Sequence, residues 1–363
     1  MKFKFNLLLL VSMLFISCNT SDDEYFSNIP DGICDVNTEI NPPIGFELNT
    51  LGGIDFNGSV RQFQIVNESI AYALLTNNRG GYIELFKSVD GGQTWIDLEV
   101  DIDMKPINMI FRDELFGIVT IRDFSNCTGS NCSRNSIYLE TIDGGLSWQE
   151  KVVNNLNGTL YHPSFDSNGN LYSMLRTEKK STMIKSINNG VDWEILFESE
   201  DLDFSLETFS YRLFDDRLYA SGKDSTILII DSNGSLINRF QSNVGSIWDL
   251  DVIDSSNIIV AGRKLLKTSD GGVSWNIISD EISRIIGFDS PDIGLAILRK
   301  STCPSDVYQV NDVIAATLNG GFEWIESNMT TTNLRLNYSN SQSITSGEWF
   351  IMINNILFKI ERR

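Results

Sequence analysis

Hydrophobic and polar residues alternate over short runs along most of this chain, as in Tyr82–Phe86 and again in Trp95–Leu98. Alternation with a period of two places successive side chains on opposite faces of a β-strand. Clusters of Gly, Asp, Asn and Ser separate the runs, and these residues favour tight turns. The pattern therefore predicts an all-β protein built from many short strands joined by turns.

An eight-residue segment recurs with a hydroxyl residue, an acid or amide, a glycine and a tryptophan at fixed positions. The five copies, called the tryptophan turns below, are Ser88–Trp95, Thr141–Trp148, Ser186–Trp193, Thr268–Trp275 and Thr317–Trp324. A fainter copy, Ile230–Ile237, keeps Gly234 but has Ile237 at the tryptophan position. The shared glycines lie at positions 92, 145, 190, 234, 272 and 321, which are 53, 45, 44, 38 and 49 residues apart. A period near 45 residues holds four short strands and predicts the blades of a single β-propeller.

Each conserved position of the repeat has a structural role in a tight hairpin. Glycine adopts positive φ at little cost, and a carboxylate or amide oxygen accepts backbone N–H groups inside the turn. A tryptophan ring covers the hairpin and fills the space between neighbouring blades. We therefore predict a structural role for Asp90, Gly92, Trp95, Asp143, Gly145, Trp148, Asn188, Gly190, Trp193, Asp270, Gly272, Trp275, Asn319, Gly321 and Trp324.

These segments resemble Asp-box (BNR) repeats, which have the pattern S/T-x-D-x-G-x-T/S-W. Such repeats occur in sialidases, xyloglucanases, sortilin ectodomains and photosystem II assembly factors. The resemblance covers roughly residues 60 to 330. It implies that each hairpin joins the third and fourth strands of a blade, and it implies no particular activity.

The repeat spacing predicts six blades at about 59–100, 105–155, 158–200, 205–243, 245–283 and 284–328. Three further strands are predicted at Leu334–Tyr338, Glu348–Ile353 and Ile356–Ile360. The segment that begins Phe46-Glu47-Leu48 would supply the fourth strand. A seventh blade built from both ends of the chain would leave the ring without open edges. Six or eight blades are the alternatives.

The first residues predict export and lipidation. Lys2 and Lys4 precede an apolar run that ends at Ser17-Cys18, so residues 1–17 read as a signal peptide. Phe15–Cys18 resembles the lipobox of bacterial lipoproteins, which implies a lipid on Cys18. The acidic stretch Asn19–Glu24 resembles the export tag of Bacteroidetes surface lipoproteins, and a plain solvated tether is the alternative. We expect a lipidated Cys and tether over 18–44, a propeller over 45–363, and a surface-exposed outer-membrane lipoprotein.

Charge and cysteine content narrow the chemistry further. The net charge of −20 disfavours nucleic acid, because phosphate binding needs clusters of Lys and Arg. In an oxidising compartment Cys127 and Cys132 would pair across a short loop, and Cys34 would then be left to pair with Cys303. A metal is disfavoured because His162 is the single histidine and no CxxC is present. We expect a monomer without cofactor or metal.

The two longest loops between second and third strands, about Arg122–Ser136 and Lys300–Asp312, predict a binding face over the ring axis. Their candidate contact residues are Arg122, Asp123, Arg134, Lys300, Asp306 and Tyr308. The favoured function is a non-catalytic protein- or glycan-binding or assembly module, which the resemblance to photosystem II assembly factors supports. The alternative is a sialidase-like glycoside hydrolase that uses a pocket on the ring axis. Against it, the Phe-Arg-Ile-Pro motif of sialidases is represented only by Phe111-Arg112.

Overall fold

The strands of the protein form seven four-stranded antiparallel sheets arranged in a ring, which is a seven-bladed β-propeller. The structure is a computed structural model, and it describes residues 42–77, 83–100, 105–122, 127–128, 131–132, 135–177, 180–198, 210–221, 223–301, 310–327, 331–332, 341–345, 347–353 and 355–363. The predicted fold class and blade number are both confirmed. None of the helical segments in these ranges is long and apolar enough to cross a membrane.

The first strand of each blade contacts the first strands of neighbouring blades, so these strands line the ring axis. From the axis outward, the strands are as follows. Blade one has Gly58–Ile65, Ala71–Asn77, Ile83–Ser88 and Ile96–Asp97; blade two has Lys105–Phe111, Gly117–Arg122, Asn135–Thr141 and Gln149–Asn157; blade three has Thr159–Phe165, Leu171–Arg176, Ser181–Ser186 and Glu194–Glu198; blade four has Tyr211–Phe214, Arg217–Ser221, Thr226–Asp231 and Leu236–Gln241; blade five has Asp249–Val252, Ile258–Ala261, Leu265–Thr268 and Asn276–Ser279; blade six has Ile282–Phe288, Gly294–Ser301, Val310–Thr317 and Ile325–Glu326; blade seven has Ser341–Thr345, Glu348–Ile353, Ile356–Arg362 and Phe46–Gly53. Outside these blades, Cys127–Thr128 pairs with Asn131–Cys132, Thr331–Thr332 adds to the third strand of blade six, and Lys223–Ser225 is a 3-10 helix.

Blade seven is built from both ends of the chain, as predicted. Phe46–Gly53 pairs with Ile356–Arg362 as the outermost strand, with Phe46 opposite Arg362. The first strand, Ser341–Thr345, comes later than the predicted Leu334–Tyr338, which lies outside the described residues. Its sequence, Ser-Gln-Ser-Ile-Thr, is largely polar and lacks the apolar alternation from which strands are predicted. Blade seven also has no tryptophan turn, since its third and fourth strands come from opposite ends of the chain.

The two ends of the ring carry different connections. In four blades a glycine N–H of the tryptophan turn donates to a backbone carbonyl in the turn between the first and second strands of the same blade. Gly144 N–H, for example, donates to the Leu115 carbonyl at 2.8 Å. We call this side the turn end. The loops between second and third strands and the connections between blades lie on the opposite side, called the loop end.

The apolar core is divided among the junctions between blades. Within the described residues, seven buried clusters occur, and each joins neighbouring blades. One cluster packs Trp349 and Phe358 of blade seven against Ile297 of blade six. The strands therefore bury their faces against the next sheet rather than against a common centre. The ring is closed because this packing continues from blade seven to blade one.

The tryptophan turn at Thr141–Trp148 shows how the repeat folds. The Asp143 carboxylate accepts the Thr141 hydroxyl at 2.8 Å and the Ser147 N–H at 2.9 Å, and the Gly145 N–H donates to Thr141 Oγ1 at 2.8 Å. The Trp148 Nε1–H donates to the Gly145 carbonyl at 3.1 Å. The same bonds recur at Ser88–Trp95 and Thr268–Trp275. Hydrogen bonds to the ionised form, first of all from the hydroxyl of the residue before the tryptophan and then from its backbone N–H, lower the pKa of Asp90, Asp143 and Asp270 to about 2.

Two tryptophan turns have an amide in place of the acid and compensate with an acid four positions later. Asn188 donates its amide to the Asp192 carboxylate at 2.9 Å, and Asn319 donates to Glu323 at 3.2 Å. In the other three turns a serine or threonine occupies the position of Asp192 or Glu323. The donor and acceptor have therefore changed places, while the hydrogen bond across the turn is kept.

The shared glycine of the turns is where neighbouring blades touch. Gly145 has φ +92°, and a Cβ there would lie 2.6 Å from Leu98 Cδ1 of blade one. The equivalent atom would lie 2.4 Å from Leu357 at Gly92, 2.6 Å from Phe240 at Gly272, and 2.6 Å from Ile278 at Gly321. In each case the contacting residue belongs to the preceding blade. The glycine is thus required by its backbone conformation and also by the packing of the next sheet.

Blade four replaces the tryptophan turn with a shorter one. The Asp231 N–H donates to the Ser235 carbonyl, and the Asp231 carboxylate accepts the N–H groups of Asn233 and Ser235. Ile237, at the predicted tryptophan position, is 48% exposed and does not fill the space between blades. The capping acid is one position earlier than in the tryptophan turns, which accounts for the faintness of this copy.

We predict that Gly145→Ala lowers the free energy of unfolding by about 2–4 kcal/mol, from a positive-φ cost of about 1 kcal/mol and an overpacking cost of about 1–3 kcal/mol. Gly245→Ala is the control, since Gly245 has φ +85° with nothing within 4 Å of its Cβ position. Chemical denaturation of both variants measures the difference. Equal losses in the two variants would show that contact with Leu98 does not matter.

We predict that Asp143→Asn lowers the thermal unfolding midpoint at pH 7 and that Asp143→Asn with Ser147→Asp recovers it, because the pair reproduces Asn188 and Asp192. Acid titration gives a second readout. The depressed pKa of Asp143 stabilises the fold above the unfolded value of 3.8, and this contribution is lost as pH falls towards 2. The acid-dependent loss should therefore be shallower in Asp143→Asn than in the wild type. Failure of the double variant to recover would contradict the exchange of donor and acceptor.

Candidate functional site

The predicted loop residues lie at the loop end or outside the described residues. Arg122 ends the second strand of blade two, and Lys300 lies in the second strand of blade six, opposite Asn311. Cys127 lies opposite Cys132 in a two-residue ladder, and their disulfide stays a prediction. Outside the described residues are Asp123, Arg134, Asp306, Tyr308, Cys18, Cys34 and Cys303, together with the predicted signal peptide and most of the predicted tether.

The structure brings together a different group of residues, on the innermost strands near the loop end. Arg212, Asp249 and Arg284 lie in the first halves of their innermost strands, and each of these strands begins at the loop end. Six blades contribute to this group, called the axis cluster, and its members are Arg61, Asn108, His162, Arg212, Asp249 and Arg284.

The charge of the innermost strands is opposite in sign to that of the whole chain. Among their described side chains, these strands contain three cationic groups, the arginines of the axis cluster, and two carboxylates, Asp249 and Asp251. Three minus two gives a net charge of +1, in a chain whose net charge is −20. Positive charge is therefore concentrated on the axis of an otherwise acidic protein.

His162 occupies a distorted stretch of the innermost strand of blade three. Its φ is +49°, which is uncommon for a residue with a side chain, and it lies in a register shift between Tyr161 and Ser164. Its N–H donates to the Asn108 side chain of blade two at 3.1 Å, and its carbonyl accepts the Tyr211 hydroxyl of blade four. Contacts from both neighbouring blades thus hold the bulge in place. Strained backbone of this kind is concentrated at functional sites.

The imidazole of His162 is neutral at pH 7. Burial lowers its pKa to about 4, and the positive charges of Arg212 and Arg61 act in the same direction. Arg61 belongs to blade one and His162 to blade three, and these blades are not neighbours. Their electrostatic interaction therefore places both side chains at the axis. A neutral imidazole offers one donor and one acceptor beside the guanidinium groups.

The two carboxylates of the innermost strands are occupied in joining blade five to blade six. Asp249 Oδ2 accepts the Ile285 N–H at 3.2 Å, and Asp251 Oδ2 accepts the Phe288 N–H at 3.1 Å. Asp249 also pairs with Arg212 at 3.3 Å. Burial raises the pKa of Asp249, while Arg212 and Arg284 oppose that rise.

The arginines of the axis cluster are oriented by their surroundings. Arg61 Nε–H donates to the Ile107 carbonyl at 2.7 Å, and the Arg284 guanidinium lies 4.8 Å from the centre of the Trp248 ring. Arg212 keeps 46% of its side chain exposed while it pairs with Asp249. Gln62 both donates to the Met109 carbonyl and accepts the Met109 N–H, which fixes the strand carrying Arg61 against blade two. Such fixed donors bind an anion without a further loss of side-chain freedom.

The sequence alone did not identify the axis cluster, although it contained a usable signal. Each of these residues lies in the first strand of its blade, within or near an apolar run. Aligning the first strands by blade would have brought Arg61, Arg212 and Arg284 to similar positions. The long loops about Arg122–Ser136 and Lys300–Asp312, on which the prediction of the binding face was based, contain none of these residues.

The fold resembles solved propellers at low sequence identity. YCF48 bound to a D1 peptide aligns with a TM-score of 0.59 and 15% identity, over 92% of this chain and 99% of that chain. YCF48 from Cyanidioschyzon merolae aligns with a TM-score of 0.62 and 12% identity, over 86% and 98%. The GH74 xyloglucanase from Xanthomonas campestris aligns with a TM-score of 0.57 and 12% identity, over 86% of this chain and 53% of that one. No family model and no curated protein matches the chain. These similarities show the fold alone.

We predict that His162 titrates with a midpoint near pH 4 in the folded protein, because burial and two arginines disfavour its charged form. Since His162 is the single histidine, one imidazole signal in an NMR titration reports it directly. Arg212→Gln should raise the midpoint towards the ordinary value of about 6.5. Arg263→Gln, an exposed arginine at the loop end but off the axis, is the control. A wild-type midpoint near 6.5 would place His162 away from this environment.

Proposed function

We propose that the protein is a non-catalytic binding module that holds another polypeptide at the loop end of the ring. The propeller of residues 45–363 would be carried outside the outer membrane by a lipid on Cys18. The observation behind this proposal is the axis cluster, in which three arginines and a neutral histidine meet on the axis of an acidic protein. Arginine binds carboxylates through paired N–H donors, and rigid scaffolds place such donors precisely.

The charge distribution restricts the proposed ligand to one with few negative charges. A polyanion would meet the axis cluster but also the surrounding surface of a chain with net charge −20. Repulsion from that surface acts over a Debye length of about 8 Å at physiological salt. A single carboxylate on an otherwise uncharged segment, such as the C-terminus of a polypeptide, avoids this repulsion and can enter along the axis.

A polypeptide is favoured over a glycan by the aromatic residues near the axis cluster. Sugar rings stack on open aromatic faces. Among the residues that the structure describes, Trp248 is a tryptophan beside the axis cluster, and the guanidinium of Arg284 lies over its ring. YCF48 bound to a D1 peptide also supports the proposal, as a propeller of similar size that holds a peptide.

Binding is favoured over glycoside hydrolysis by the state of the carboxylates. Hydrolysis uses two carboxyl groups that face the sugar from both sides of the bond to be broken. In the described part of the innermost strands the carboxylates are Asp249 and Asp251, and both accept backbone N–H groups of blade six. The described axis thus favours recognition of an anion over acid–base chemistry.

We predict that the full-length lipoprotein, purified in detergent, retains octapeptides with a free C-terminal carboxylate. The probe is a random octapeptide library made in two forms, with a free C-terminus and with a C-terminal amide. Retention of the free-acid form alone is expected, because the amide removes the charge that the arginines bind. Mass spectrometry of the retained peptides then identifies individual binders.

For one retained peptide, Arg284→Gln and Arg61→Gln should each raise the dissociation constant about tenfold or more, since a charged hydrogen bond contributes about 1.5–3 kcal/mol. Arg263→Gln should leave it unchanged. Retention of acidic glycans in place of peptides would replace the proposed ligand by a sugar. Equal retention of acid and amide forms would remove the role of the axis cluster.

A further inference from the structure

The tryptophan turns expose large apolar side chains at the turn end. The residue after the hydroxyl position and the residue after the shared glycine both face solvent. Their exposed fractions lie between 44% and 92% for Val89, Ile142, Leu146, Ile187, Val191, Val273, Leu318 and Phe322. Leu115, in a neighbouring turn, is 59% exposed. By contrast, the loop-end residues that the structure describes include one large exposed apolar side chain, Ile356, whose exposed fraction is 37%.

The fold of the turns does not require these apolar residues. The hydrogen bonds of each turn involve the hydroxyl residue, the acid or amide, the glycine and the residue before the tryptophan. Gln93 and Ser269 occupy the two variable positions in individual turns, and those turns keep the same hydrogen bonds. Exposed apolar surface is unfavourable relative to buried apolar surface. Repetition of apolar residues at five turns of one end therefore indicates a surface that covers them.

The chain enters the propeller at the same end. Phe46 begins the outermost strand of blade seven opposite Arg362, next to the turn end, and Ile44 just before it is 81% exposed. The 27 residues between Cys18 and Phe46 would span about 30 Å as a flexible chain. A lipid on Cys18 would therefore hold the turn end close to the membrane and raise the effective concentration of its apolar side chains there.

The negative charge of the turn end favours a zwitterionic lipid over an anionic one. Asp90, Asp143 and Asp270 lie in the same turns, and their pKa values near 2 keep them ionised at neutral pH. Anionic head groups would repel these carboxylates and the net charge of the chain. A zwitterionic surface does not, and it accepts apolar side chains at its interface.

We propose that the turn end rests on the interface of a zwitterionic lipid layer, with the apolar residues of the tryptophan turns inserted between head groups. This inference rests on the lipid anchor of the proposed function. It places the loop end and the axis cluster on the side that faces away from the membrane, where a protein ligand has access to them.

The test uses the full-length lipoprotein reconstituted on phosphatidylcholine vesicles. Five of the seven tryptophans lie in the tryptophan turns, so their fluorescence reports the turn end. Lipids brominated near the glycerol end of their acyl chains should quench this emission. Phosphatidylglycerol vesicles of matched bromination should quench it less, because of the repulsion described above.

The variant Leu146→Ser/Val273→Ser/Phe322→Ser should lose more than half of the quenching. Its matched control, Val152→Ser/Ile195→Ser/Ile277→Ser, changes residues of similar type on outer strands that are 51–55% exposed, and should retain it. Co-flotation with vesicles, measured in parallel, reports the anchor separately. Co-flotation without quenching overturns this inference and leaves the anchor standing, whereas a failure to co-float overturns both. Dimerisation that the triple serine variant abolishes, without quenching, would assign the turn end to a second copy of the chain.

Discussion

The contact on which the ring depends is the close approach between a turn glycine and a side chain of the preceding blade. Leu98 lies over Gly145, Phe240 over Gly272, and Ile278 over Gly321, each where a Cβ would be under 3 Å away. The preceding sheet can come this near only because the glycine lacks a side chain. The same turn carbonyls also accept hydrogen bonds from the preceding blade, as in Tyr138 to Gly190 at 2.8 Å. Each turn therefore closes its own hairpin and sets its distance from the neighbouring blade.

This arrangement separates the parts of the molecule that determine its shape from the parts that are available for function. Packing between blades uses the flat faces of the sheets and the tryptophans, and it leaves the two ends of the ring and the axis free to vary. At the axis, bulges such as the one at His162 turn individual residues out of the regular ladder. Local disruption of a strand is tolerated there because the outer strands and the neighbouring blades hold the sheet. The charged axis cluster is thus supported by a scaffold whose stability comes from elsewhere.

Much of the fold could be predicted from the sequence because the turn chemistry is local. Asp143, Gly145 and Trp148 interact largely within one hairpin, so their spacing in sequence is also their spacing in space. Blade seven was harder, because Phe46 and Arg362 pair across the length of the chain and Ser341–Thr345 is polar. The axis cluster was harder to predict, since Arg61, His162 and Arg212 come from blades one, three and four and approach the axis only after these blades have packed around it. Their proximity depends on the curvature of the ring, which no short stretch of sequence encodes.

The pairing that completes blade seven also bears on when the protein can fold. Asn49 donates to Glu361, which is 312 positions later in the chain, and the strands that hold them are among the first and last parts of the propeller to be synthesised. Contacts this distant in sequence form slowly, because the entropy of closing a long loop opposes them. The outermost strand of blade seven, Phe46–Gly53, therefore cannot pair until its partner Ile356–Arg362 has been synthesised. A ring that closes in this order can complete its last blade only after synthesis of the chain has ended.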